Sequence, residues 1–152
     1  SCGTGFDGIA QIFRRPVAFV NHAPIGLLVT FAKNTIGITK HHISKIDDRK
    51  LSLQDIIKSG VDLSFTPQEF ESKQVKLVEN TPEEIRDVVV EMDERLNERW
   101  HPLDDDESLQ QKFWEIFSEE VSKKRNADQP FHGEIRSFFG TSFLRNNRWW
   151  LE

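Results

Sequence analysis

The chain lacks what several common kinds of protein require. It has one cysteine, Cys2, so no internal disulfide can form, which fits a reducing compartment. No base stands beside Cys2 in sequence, so it reads as a small loop residue and not as a nucleophile. No apolar run approaches the ~20 residues of a membrane-spanning helix. The run from Ile25 to Ala32 is short and bounded by Pro24 and Lys33. No secretory signal and no internal repeat is visible. His22, His41, His42, His101 and His132 stand at no zinc-site spacing, and there is no Cys-x-x-Cys, so the pattern implies no metal. A formal net charge of -5 weighs against nonspecific nucleic-acid binding.

What is present suits one domain with a true core. The chain has 152 residues, 37% of them apolar and 30% charged, a globular and not a disordered composition. Its most informative stretch comes first: a glycine loop, a short helix and a buried strand over residues 1–21. There is no initiator Met, and no strand precedes the loop. The expectation is the C-terminal part of a larger protein, cut inside an α/β domain. Phe6, Ile9, Ala10 and Phe13 fall on one helical face, predicted to point inward. Arg14 and Arg15 close that helix and Pro16 ends it. Val17 to Val20 is apolar without alternation, as in a parallel strand covered on both faces.

Further along, Ile36 to Lys40 is a second short strand or extended segment, and Asp47 to Lys50 a polar turn. Ser52 caps a helix that carries Leu53, Ile56 and Ile57 inward and ends near Gly60. Thr66-Pro67 starts another helical turn. Val75 to Val78 reads as a strand. Thr81, Pro82 and Glu84 make a capping-box helix start, with Ile85, Val88, Val89, Met92 and Leu96 as its apolar stripe. Glu91 and Arg95 are expected to pair on its outer face. Asp104 to Glu107 reads as a solvated run capping a last long helix, whose inner face is Leu109, Phe113, Ile116 or Phe117, and Val121. Lys123 to Arg125 closes it, a loop spans Asn126 to Gly133, and the aromatic tail through Trp149 and Trp150 folds back on the domain.

Residues 1–100 are thus read as a Rossmann-like binding domain and residues 101–152 as a helical C-terminal extension packed on it. The candidate site is the glycine loop. Gly3 and Gly5 let the backbone approach an anion, and the Thr4 hydroxyl donates to it. In open α/β sheets ligands sit at the carboxyl ends of strands, which brings in Asn21, His22 and Pro24. Lys40 and Lys45, with Arg14 and Arg15, are the nearest cations for a diphosphate, and Lys40 is preferred. Arg14 and Arg15 lie at the far end of their helix from the loop, and are set aside. Gly3-x-Gly5-x-x-Gly8 also matches the dinucleotide fingerprint, but the helix is short and the next strand ends in Asn21, not in an acidic residue. A glycine turn needed only for packing is the alternative.

The segments Gly3 to Ala10 and Phe13 to Asn21 resemble the C-terminal domain of GT-B glycosyltransferases. In particular they resemble a group of bacterial ones associated with surface polysaccharide loci. Leu51 to Ile57, Glu79 to Ile85, Glu91-Met92, Leu109 to Trp114 and Phe143 to Arg145 agree in order, so the resemblance spans almost the whole chain. It implies a partial Rossmann-like α/β fold with a small, mostly parallel sheet. It also implies a nucleotide-diphosphate sugar as ligand, with the diphosphate at Thr4, Gly5, Phe6 and Asp7. Gly3, Asn21, His22, Pro24 and Lys40 are the possible further pocket residues. The carboxylate of Asp7 would repel phosphate, which leaves it a helix cap, a sugar-hydroxyl ligand or a metal ligand. No cofactor is implied. A missing N-terminal domain would bind the acceptor, so this part alone is expected to be inactive. The expected location is the cytoplasm or the inner face of the membrane. Two other readings stay open: a non-catalytic interaction or regulatory α/β domain, and an NAD(P)-binding domain. A donor site predicts that Thr4, Gly5 and the His22 segment converge on an open pocket, whereas a degenerate domain would have them packed or blocked.

Overall fold

The computed structural model describes residues 5–125 and 134–152, and the side chains of the first stretch through Glu119. Gly3, Thr4 and the loop Asn126 to Gly133 lie outside the described residues, as do the side chains of Val121 and Lys123 to Arg125. The chain opens with a short helix, α1 (Asp7–Ile12), and reverses through Pro16 into strand β1 (Val17–His22). Strand β2 (Thr35–Thr39) runs parallel to β1, with Val17 opposite Thr35 and Phe19 opposite Gly37. All five β2 residues are buried, as expected of a strand covered on both faces. Between Phe19 and His22 the register slips by one residue. There Asn21 takes a left-handed φ of 52°, a conformation that Asn tolerates better than most residues.

After Lys40 the chain leaves that sheet. Strand β3 (His41–Ser44) pairs antiparallel with β4 (Val75–Val78) in a separate two-stranded sheet, His42 facing Leu77. Between them lie α2 (Leu53–Lys58) and α3 (Pro67–Ser72). Both begin with full capping boxes, Ser52 with Asp55 and Thr66 with Glu69, and α2 ends at Gly60 with φ 77°. Helix α4 (Pro82–Leu96) carries the expected Thr81–Glu84 box. Helix α5 (Asp106–Arg125) then leads to the two-residue strand β5 (Phe138–Phe139), helix α6 (Thr141–Asn146) and a closing turn, Arg148–Leu151. Strand β5 lies parallel to β2 on the side away from β1, so the sheet order is β1-β2-β5. This is an α/β architecture with a small three-stranded parallel sheet, compatible with a Rossmann-like description.

Residues 101–152 supply a strand of that sheet and much of its cover. Phe113 stacks on Phe139 with ring centroids 4.2 Å apart, and Trp150 stacks on Phe139 at 5.4 Å. These rings join Ile36, Ile38, Leu53, Ile56 and Leu144 in one buried cluster. The Gln110 side chain reads both backbone groups of Phe139, accepting from its N–H at 3.2 Å and donating to its carbonyl. No helix among the described residues is long and apolar enough to cross a membrane.

Several local expectations fail for identifiable reasons. The α1 face predicted to be buried is open to solvent: Phe6 is 76% and Phe13 70% exposed, and no α1 residue is buried. Among the described residues helix α1 packs mainly on the edge strand β1, which leaves its apolar face largely uncovered. Strand β1 is buried at Val17, Phe19 and His22 and half-buried between, where Ala18 and Val20 pack against the core, so its second face is covered only in part. The Glu91–Arg95 pair exists at 2.8 Å but points inward, with Glu91 only 1% exposed. Its carboxylate accepts from the Thr141 N–H at 2.8 Å and the Thr141 hydroxyl at 2.6 Å, clamping α4 to the start of α6. Asp106 is likewise buried and not solvated: it accepts from the Leu103 N–H at 2.7 Å and lies 3.2 Å from Arg145 Nε.

Candidate functional site

The glycine loop and the end of β1 come together because α1 runs back along the strand that follows it. Gly5 has φ 87°, which glycine adopts freely, and none of the described residues lies within 4 Å of where a Cβ would stand. The Asp7 carboxylate accepts the Gly5 N–H at 3.1 Å, so this side chain closes its own loop. Phe6 stands at the N-cap position and makes no side-chain cap bond. Across from the loop sits His22, 5% exposed, with the edge of its ring against Phe19 at 5.4 Å. Burial holds the His22 pKa below the usual imidazole range, while the nearby Asp7 carboxylate and the Leu27 backbone pull it up. Asp7, whose carboxylate closes the Gly5 turn, thus lies within electrostatic reach of His22 at the end of β1.

The other candidates are committed elsewhere. Asn21 and Asn80 form a reciprocal pair, each backbone N–H donating to the other's side-chain oxygen at 2.7 and 2.6 Å. The Asn80 amide also donates to the Thr39 carbonyl at 2.8 Å. The Thr39 hydroxyl and the Lys40 N–H both reach the His22 carbonyl, at 2.8 and 3.2 Å. This clasp stitches the ends of β1 and β2 to the start of α4. The Lys40 ammonium lies 3.4 Å from Glu79. Pro24 is buried behind a cis Ala23–Pro24 bond, where Gly26 packs so closely that a Cβ would come within 2.7 Å of the Asp62 carbonyl. Thr4 and Gly3 lie outside the described residues. The structure thus brings Asp7 within electrostatic reach of His22, and turns Asn21 and Lys40 toward Glu79 and Asn80.

A second feature was not anticipated. At the opposite, amino end of the sheet a cleft of about 520 Å³ is lined by Arg14, Arg15, Phe31, Lys33, Asn34 and Arg136, among others. Adjacent arginines were visible in the sequence, but nothing there placed Arg136 beside them. Among the described residues no group of three or more His, Cys, Asp and Glu side chains could hold a metal ion. Comparison with protein-family models, with curated proteins and with solved structures finds no match to this chain.

Proposed function

We propose that the chain binds the diphosphate of a nucleotide sugar for glycosyl transfer, as part of a GT-B-type enzyme of surface polysaccharide synthesis. The observation that supports this reading is that Asp7, which closes the Gly5 turn, lies within electrostatic reach of His22 at the carboxyl end of a parallel strand. That is the edge where open α/β sheets take their ligands. The ordered resemblance of the sequence to GT-B donor domains supports it. Asp7 has a defined role in this scheme. Its carboxylate occupies the Gly5 N–H until a diphosphate oxygen displaces it. Loop N–H groups then stabilise the leaving diphosphate as charge develops on it.

The second reading, a non-catalytic interaction domain, is favoured by the Asn21–Asn80 clasp and by the burial of His22, which fill the strand end with protein. Thermal unfolding with UDP, GDP, ADP and CMP at millimolar concentration separates the two. A ligand at a hundred times its dissociation constant adds about 2.7 kcal/mol. A shift selective for one base, lost in Gly5→Val, supports the donor site. A cooperative melt unmoved by all four supports the interaction domain.

A further inference from the structure

The geometry points to a second binding site, the amino-end cleft, for a phosphate-bearing anion. Arg14 and Arg15 enter it from the end of α1, Lys33 and Phe31 from the loop before β2, and Arg136 from the segment before β5. No Asp or Glu is among its lining residues, as far as the described residues go. Arg49, Arg86, Arg95, Arg99, Arg145 and Arg148, which lie outside the cleft, all stand in ion pairs with carboxylates. Arg14, Arg15 and Lys33 have no carboxylate partner among the described residues, and Arg136 has only exposed Glu134, two positions away. The chain as a whole carries a net charge of -5, so the cluster does not follow from a basic composition. Charges on the far surface are screened beyond a Debye length of about 8 Å and do not neutralise it.

The cations are held together by backbone. The Arg136 N–H donates to the Thr30 carbonyl at 2.7 Å, the Arg15 N–H to the Ala10 carbonyl at 2.7 Å, and the Val17 N–H to the Asn34 carbonyl at 3.1 Å. Arg14 itself stands at a left-handed φ of 52°. Converging like charges oppose folding unless an anion lies among them. Guanidinium forks match phosphate oxygens two at a time. The volume is within the usual range for a small-ligand site. The phosphate can belong to a free diphosphate or to a lipid headgroup.

The test uses the 152-residue chain, calorimetric titration with inorganic pyrophosphate, and sedimentation with phosphatidylcholine vesicles with or without phosphatidylglycerol. The variant is Arg15→Gln with Lys33→Gln. The control is Lys112→Gln, on an exposed lysine of α5 outside the cleft. The expected result is saturable binding of pyrophosphate, or of the phosphatidylglycerol vesicles alone, weakened about tenfold or more in the double variant. Lys112→Gln leaves that binding within a factor of about two, and each titration is repeated in a Gly5→Val background, so that pyrophosphate held at the glycine loop is not counted toward the cleft. Binding of pyrophosphate marks a free phosphate as ligand, and binding of vesicles only marks a headgroup. If the double variant melts early, Arg136→Gln alone carries the same expectation. No binding of either probe, equal weakening by Lys112→Gln, or loss in Gly5→Val with none in the cleft variants would overturn the inference.

Discussion

Acidification should destabilise this protein well above the range where carboxylates titrate, and His42 is the cause. The ring lies in the 41–44 strand, almost wholly buried, 6.4 Å from the Phe70 ring. Burial pushes its pKa down to about 4, helped slightly by neighbouring His41 and opposed by the Lys40 backbone. In the unfolded chain the same ring titrates near 6.5. Between these values the unfolded state binds a proton that the native state refuses. The stability His42 contributes is therefore complete above about pH 6.5 and falls away as the pH drops toward 4. The whole effect is about 3 kcal/mol, of which about 2 kcal/mol is lost between pH 7.5 and pH 5. For a chain of this length that corresponds to a fall of about 4–8 °C in Tm. Burial lowers the His22 pKa too and adds in the same direction. The assay is denaturant or thermal unfolding at both pH values for the parent and for His42→Leu, which keeps the site apolar. The parent's slope should exceed the variant's by about 2 kcal/mol. Equal slopes would show that His42 titrates normally and that the strand is not buried as described.

Other outcomes follow from the same packing. Glu91→Gln leaves Arg95 without its buried partner and weakens the clamp on Thr141, and should cost about 3 kcal/mol in chemical denaturation. Asn80→Ala removes the clasp on Asn21 and Thr39, and should cost about 2–4 kcal/mol while speeding amide exchange at Asn21. Gly140→Ala would set a methyl group 2.6 Å from Ile38 Cγ2 and 2.8 Å from Val88 Cγ2. An overpacking cost of about 1–3 kcal/mol is expected from its melting curve.

Local signals in the sequence carried most of the helices. Ser52, Thr66 and Thr81 with their acidic N3 partners start helices where expected, because a capping box is written within four residues. Strand β2 was legible from its apolar run, and β4 from its valines. Strand β3 was not, because His41 and His42 read as polar. Only the fold shows His41 bonded to Glu84 at 3.0 Å and His42 sealed beneath Phe70. The inward turn of Glu91 was hidden for the same reason. Its partner Thr141 lies fifty residues on, and helical periodicity alone put the pair on the outside. The stripe on α1 misled in the opposite way, since amphipathicity states which face seeks cover but not whether cover is at hand. At the site, the donor reading predicts that Thr4, Gly5 and the His22 segment converge on an open pocket; Thr4 lies outside the described residues, and His22 is buried. The capture of Asn21 by Asn80 and of Lys40 by Glu79 depends on tertiary placement that no motif encodes.

The most direct measurement is a backbone-amide NMR titration of the chain with the nucleoside diphosphate that most raises its melting temperature. The account predicts saturable shifts at Gly5, Asp7, Gly8 and His22, with the Asp7 carboxylate released from the Gly5 N–H. Shifts confined to Arg14, Lys33 and Arg136, or none at any of these amides, would contradict a donor site at the glycine loop.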